Sequence, residues 1–478
     1  MLFPNRYGLI KSAVHMIFFL ILFAGCTHDG QEAGVYSQNY AGDTAAAEKV
    51  QPIAKSKWGK GLLQYSPGAF EGYTLFAPMS KKTTYLIDMY GNVVHTWESK
   101  YRPGISAYLL ENGDLLRTGQ PSRGGQGGSG GNVQRISWDG ELVWDFSIPG
   151  DKHRLHHDIA ILPNGNVLMI SWDDKSKQET IDAGRSGGIF SGAALSPDMI
   201  IEVKPTGKTT GDIVWEWHVW DHLVQDTDPE KANYGVVADH PELLDINYSS
   251  SRSGRSRSDW NHCNAVAYNE KLDQIILSFR AMSEIYIIDH STTTEEAKGH
   301  TGGRYGKGGD ILYRWGNPRV YQRGNRADRT LFEQHDPVWI EKGYPGEGNI
   351  TIFNNGTSRS GGYSSIEEIT PPIDENGNYI IEEGSAFGPV KSTWTYTASI
   401  KSSFYADHIS GSQRLPNGNT LICSGPKGTF FEVTPEGKTV WKYVNPFLGT
   451  IRGGGKGASP VDVFRAYRYA MDYPGIKK

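Results

Sequence analysis

Cysteine is almost missing from this chain, with three in 478 residues. Two of them, Cys263 and Cys423, lie in distant strand-like segments. That excludes a disulfide scaffold and predicts two buried free thiols. A dominant charge sign is missing too. The 48 basic and 53 acidic residues leave a net charge of −5. This balance gives no reason to expect nucleic acid or an acidic membrane surface as a partner. Amphipathic helical stretches are few, which excludes a helical domain. What is present instead is Gly (58), Tyr (25) and Trp (13), the residues of strands and turns. The chain reads as all-β.

The first 25 residues read as a targeting signal. Arg6 and Lys11 precede an apolar run, Ala13 to Ala24, too short to cross a bilayer comfortably. The run ends Phe23-Ala24-Gly25-Cys26, a pattern like a lipoprotein cleavage site. Lipidation at Cys26, export and a membrane anchor are expected. Thr27 in place of Asp favours the periplasmic side of an outer membrane or the cell surface. Residues 26–65 are polar and read as a tether; residues 66–478 read as one folded domain.

A unit recurs through that domain. Its copies are "GNVVHTW" (91–97), "GELVWDF" (140–146), "GDIVWEW" (211–217), "GDILYRW" (309–315), "KSTWTY" (391–396) and "GKTVWKY" (437–443). A turn-and-strand motif alternates with them: "LLENGDLL" (109–116), "ILPNGNVL" (161–168) and "RLPNGNTL" (414–421), with looser forms at 268–277 and 343–352. Six copies of a several-stranded unit predict a six-bladed β-propeller with insertions between blade strands. The Gly-rich stretch 123–132 joins no strand to a helix and reads as a loop between strands.

Four histidines stand just ahead of these turns: His157, His262, His335 and His408. Each falls at the start of its blade's first strand, which in a propeller lines the central channel. Matching positions in several blades therefore converge on one channel mouth. Converging imidazoles serve either metal binding or nucleophilic catalysis with anion stabilisation. Arg359, one strand beyond His335, opposes a metal cation and suits an oxyanion. Asp158, Asp336 and Asp407 adjoin the histidines in sequence and, by strand alternation, point the other way. They read as turn-ordering residues. His222 and His240 read as parts of a cap beside the channel, and the basic stretch 249–260 as a solvated loop.

The segments "WDHLVQDTDP" (220–229), "DWNHCNAV" (259–266), "QHD" (334–336), "NGTSR" (355–359) and "SGSQRLPNGNTLI" (410–422), with the closing "VFRAYRYAMDYPG" (463–475), resemble the bacterial arylsulfotransferase family. The resemblance implies a six-bladed propeller that moves a sulfuryl group between phenols without a nucleotide sulfate donor. It implies aryl sulfates and phenols as the small-molecule partners, and no cofactor. Its catalytic residues fall here on His262, His335, Arg359 and His408. His408 would attack sulfur and carry the group as a sulfohistidine in a two-step exchange. Arg359 and His335 would hold the sulfuryl oxygens, and His262 would act as acid and then base. Two other readings are a propeller enzyme dependent on a metal or quinone cofactor, and a non-catalytic propeller that binds phenolic or sulfated ligands.

Overall fold

The structure, a computed structural model, describes residues 59–121, 128, 130–148, 153–187, 193–249, 258–449 and 459–477. The signal-like segment, Cys26 and most of the tether lie outside the described residues. Among the described residues, no helix is long and apolar enough to cross a membrane.

Six antiparallel sheets carry the fold. Blade 1 runs from its inner strand Val463–Ala470 through Gly72–Pro78 and Thr83–Ile87 to Val93–Glu98. Blade 2 is Arg102–Leu109, Leu115–Gln120, Asn132–Ile136 and Leu142–Phe146. Blade 3 is His153–Ile161, Val167–Asp173, Asp198–Pro205 and Gly211–His218. Blade 4 is Cys263–Asn269, Gln274–Phe279, Glu284–Asp289 and Tyr313–Trp315. Blade 5 is His335–Trp339, Ile350–Asn354, Ser365–Ile369 and Trp394–Tyr396. Blade 6 is Ser410–Arg414, Thr420–Ser424, Thr429–Val433 and Thr439–Val444. The first-named strands pack side by side from blade 1 to blade 6 and back to blade 1. That closed ring makes the chain a six-bladed β-propeller.

Both ends of the chain help to close the ring. The C-terminal strand is the inner strand of blade 1. At the other end, Gly61–Tyr65 pairs with Thr439–Val444 on the outer side of blade 6. The propeller therefore begins by Gly61 rather than at residue 66, inside the stretch read as tether. Leu62 and Tyr65 pack on the apolar cluster shared by blades 6 and 1, which is why this stretch is held.

The repeated Trp-bearing segments all become fourth strands, and the structure supplies the reason for the tryptophan. Each indole N–H donates to a backbone carbonyl of the next blade. Trp97 reaches Ser137 (3.1 Å), Trp144 reaches Thr210 (3.0 Å) and Trp217 reaches Gly309 (2.7 Å). Trp315 reaches Pro389, Trp394 reaches Pro435 and Trp441 reaches Met89, each at 2.8 Å. Five of these side chains are buried, so each contributes a large apolar area and one satisfied donor. Net, such a bond contributes about 1 kcal/mol, and leaving its partner unpaired in the interior costs about 1–3. The circuit is complete: blade 6 donates back to blade 1.

The turn motifs link inner and second strands in blades 2 to 6. Gly113, Gly165 and Gly418 occupy them at φ +90°, +86° and +87°, where a side chain would be strained. Cys263 and Cys423 are both buried and free, as expected.

Candidate active site

The inner strands are not regular where they meet the channel. In blade 3 the ladder slips between Leu155 and Ile159. In blades 4 and 5 it slips after Cys263 and after His335. His157, His262 and Asp336 sit at positive φ, +52°, +55° and +55°, a conformation that costs a non-glycine residue on the order of 1 kcal/mol or more. These bulges break the two-residue alternation and turn neighbouring side chains to new directions.

Three histidines come together there. The rings of His157 and His262 lie edge to face with centroids 4.7 Å apart. Phe464, from the inner strand of blade 1, stands 6.3 Å from His157 and 6.1 Å from His335. His157 and His335 are buried; the His262 side chain is 15% exposed. Each ring is oriented through Nδ1. His262 Nδ1 lies 2.5 Å from Asp259 Oδ2, and Asp259 also accepts the Trp172 indole N–H. His335 Nδ1 lies 2.7 Å from Asn355 Oδ1. The Asn355 amide nitrogen donates to Ala406 O and Ser410, so its oxygen accepts from His335. His157 Nδ1 is 2.8 Å from His156 Nδ1, and His156 Nε2 lies 3.0 Å from buried Asp198. With Nδ1 as donor, His335 keeps the lone pair on Nε2 free, and His262 is left with Nε2 to give or take a proton.

Burial, then the neighbouring imidazoles and Arg280, hold His157 well below the ordinary histidine range. His335 is likewise held well below it, by burial and Arg280, against a partial offset from Asn355. Both are neutral at pH 7. Arg280, paired with Glu333 and donating its backbone N–H to His262 O, is a cation acting on these rings, with Arg465 acting on His335 as well, and the sequence reading missed it. The glycine-rich stretch also reaches the site. Gly128, at φ +82°, lies so close that a Cβ there would sit 1.9 Å from His157 Cε1. Most of that stretch, and residues 250–257 of the basic stretch, lie outside the described residues.

His408 and Arg359 sit differently. His408 is at the rim, with a side chain 36% exposed and Nδ1 2.6 Å from Asp407 Oδ1. Ile409, which follows it, packs with Phe464 and Ile105, and so ties the rim to the centre of the mouth. Arg359 donates to Ser365 Oγ at 2.9 Å, lies 3.8 Å from Glu367, and stacks on Phe332 and Tyr363. These partners belong to blade 5 and the segment leading into it.

None of the three aspartates keeps the turn-ordering role read from the sequence: Asp407 pairs with its own His408, and the other two serve a different purpose. Asp158 and Asp336 both grip Arg465, at 2.5 Å and 3.1 Å, in the middle of the ring. Every inner strand contributes to this plug. Tyr108 of blade 2 bonds Asp158 and Arg465. Asn264 of blade 4 accepts from Arg465, and Ser412 of blade 6 donates to Asp336. Beyond Arg465, away from the histidines, lies a cavity of about 1030 Å³ lined by Tyr268, Tyr467, Tyr469 and Tyr473 among others.

A family model described as Arylsulfotransferase (ASST) matches residues 69–450. The chain belongs to the arylsulfotransferase family. Membership supports aryl sulfotransferase activity in general, and implies aryl sulfates and phenols as substrates. No curated protein matches the chain. Among solved structures, the arylsulfotransferase chain is similar to a protein of unknown function from Bacteroides caccae, at 12% identity over 83% of this chain and 98% of that one, TM-score 0.42. It is also similar to a virginiamycin B lyase from Staphylococcus aureus, at 9% identity over 80% and 87%, TM-score 0.38. Apo AztD from Citrobacter koseri is similar at 9% identity over 84% and 99%, TM-score 0.36. Likenesses this distant carry no argument about chemistry.

Proposed function

We propose that this arylsulfotransferase moves a sulfuryl group from an aryl sulfate to a phenol in two steps, through a sulfohistidine, at the mouth formed by His157, His262, His335 and His408. The observation that carries this reading is the cluster of His157, His262 and His335 with Arg280 coupled to it, and the carboxylate-backed His408 at its rim, in a member of that family. Two of them, His262 on Asp259 and His408 on Asp407, have the carboxylate partner that keeps one nitrogen protonated and the other nucleophilic. His408, the more exposed, is the nucleophile. Its Nε2 forms a bond to sulfur while the S–O(aryl) bond breaks. His262, entering the cycle as the imidazolium paired with Asp259, passes its Nε2 proton to the departing phenolate oxygen. The second phenol then gives a proton to His262 and takes the sulfuryl group from His408. Like phosphoryl transfer, the step spreads charge over the equatorial oxygens, so a cation beside them lowers the barrier.

The resemblance gives that cationic role to Arg359, with His335 as its companion. The electrostatic coupling of Arg280 to His157 and His335 favours Arg280. Purified protein given a chromogenic aryl sulfate alone should release phenol in a burst and gain about 80 Da, one SO₃, on the peptide bearing His408. A His408→Asn variant should lose both half-reactions. Arg280→Ala should lower the rate by roughly 10²–10³, and Arg359→Ala by less, since it is Arg280 that is coupled to His157 and His335. The reverse order returns the grip to Arg359. A label on His262 or His335 moves the nucleophile. No label, with normal turnover by His408→Asn, overturns the exchange through His408. Lipidation of Cys26 and a periplasmic or surface location belong to the same proposal, motivated by the Ala-Gly-Cys ending of the apolar run. Mass spectrometry of the mature chain tests them.

A further inference from the structure

Away from the channel, His222, His300 and Asp310 bring one ligand atom each to within 4.8 Å of one another. They come from two segments. His222 follows the fourth strand of blade 3. His300 and Asp310 lie in the insertion between the third and fourth strands of blade 4. His222 is fully buried and its ring lies parallel to that of Trp217, so it is not the channel-side cap residue that the sequence suggested.

The polar contacts of His222 pose a bonding problem. Its Nε2 lies 2.9 Å from Ala297 O. A carbonyl only accepts, so Nε2 carries the hydrogen. Its Nδ1 lies 2.9 Å from Asp310 Oδ1. In the neutral ring that nitrogen presents a lone pair to a carboxylate lone pair, and something positive must stand between them. His300 Nδ1 approaches the same oxygen at 2.8 Å. Gly309 keeps the arrangement tight, since a Cβ there would lie 2.6 Å from His222 Nε2 and 2.0 Å from Ala297 O. An imidazole fixed by an N–H bond to a backbone carbonyl, with its other nitrogen turned to a carboxylate and a second imidazole, has the outer-shell support of a metal ligand.

We propose that His222, His300 and Asp310 bind a divalent transition-metal ion of the zinc class at the seam of blades 3 and 4. Two imidazoles and one carboxylate suit that class. Bonds of about 2.0–2.2 Å set tetrahedral donors about 3.3 Å apart, so the ligands open by a few tenths of an ångström. The His300 side chain is 60% exposed, so the fourth position faces solvent and takes water. The ion's role is structural: it ties the insertion carrying His300 and Asp310 to blade 3, remote from sulfuryl transfer.

The test uses the full chain, stripped with a chelator and titrated with zinc chloride by calorimetry, with melting followed in parallel. One zinc equivalent should bind and raise the melting temperature. His300→Ala, an exposed change that leaves the fold intact, should lose that equivalent or weaken it at least about tenfold. Asp310→Asn, which keeps the shape and removes the charge, should do the same. Zinc held by the channel histidines would survive both changes. Binding of equal stoichiometry and affinity in the wild type and both variants overturns the site, as does a wild type that neither binds zinc nor gains stability from it. The latter result leaves a buried His–Asp ion pair.

Discussion

Replacing Arg465 by methionine is the sharpest test of how the ring is held. The side chain is 3% exposed and is the only cation placed between Asp158 and Asp336 among the described residues. Methionine keeps much of the apolar stem and removes the charge and its hydrogen bonds to Asp158, Tyr108 and Asn264. Two buried carboxylates then lack a counter-ion. Breaking a buried pair from one side typically costs about 3–5 kcal/mol. Asp336 shows how close to its limit this cluster already is: burial pushes its carboxyl up to about 6 even with Arg465 beside it.

The pH dependence separates this explanation from simple loss of packing. A carboxyl whose folded value lies above its unfolded one takes its proton first in the folded state. Its contribution to stability is therefore best at low pH and falls as pH rises from about 4 through about 6. Without Arg465 the folded value climbs further, and the penalty extends into the alkaline range. The stability gap between wild type and Arg465→Met should be widest near pH 8 and shrink toward pH 5. Urea unfolding followed by tryptophan fluorescence at several pH values measures it. A gap under about 1 kcal/mol at pH 8, well below the range expected for a broken buried pair, or a gap that does not change with pH, refutes the reasoning.

Two further outcomes are expected. His290 bridges Asp273 (2.8 Å) and Glu202 (2.9 Å) across the seam of blades 4 and 3. Burial opposes its charge, but the two carboxylates raise it to about 9. Its contribution is full below the unfolded value near 6.5 and is lost as pH rises through 9. At about 1.36 kcal/mol per pH unit this amounts to about 3 kcal/mol at most, so the stability difference between wild type and His290→Gln should close between pH 7 and 10. A difference that stays constant counts against the bridge. Gly128→Ala should leave the melting temperature within a few degrees, yet lower turnover about tenfold or more by displacing the His157 ring; normal turnover would show that His157 can move without cost.

The plan of the propeller was written in short-range patterns, and these can be read without a structure. A glycine turn followed by Val, Ile and Trp marks a fourth strand because that strand must hand an indole N–H to the next blade. The five turn motifs mark the five hairpins that join inner and second strands. The convergence of His262 and His335 followed from their matching places in that plan. Alternation held for Asp158 and Asp336, neither of which bonds its neighbouring histidine, but their role went unread because Arg465 comes from a remote strand; it failed for Asp407, which lies ahead of the regular strand Ser410–Arg414 and bonds its own His408. Arg280 stands at the end of a second strand with no local sign of its partners, and the link from Arg465 to Asp158 spans 307 positions. Yet the counts held a clue to the plug. Six fourth strands with only five hairpin turns leave one blade without a neighbouring inner strand in sequence. In a closed ring that strand has to come from the far end of the chain. The C-terminal segment "VFRAYRYA" (463–470) fills the place, and so puts Arg465 on the axis, where the only groups that can balance a buried guanidinium are carboxylates from the opposing inner strands.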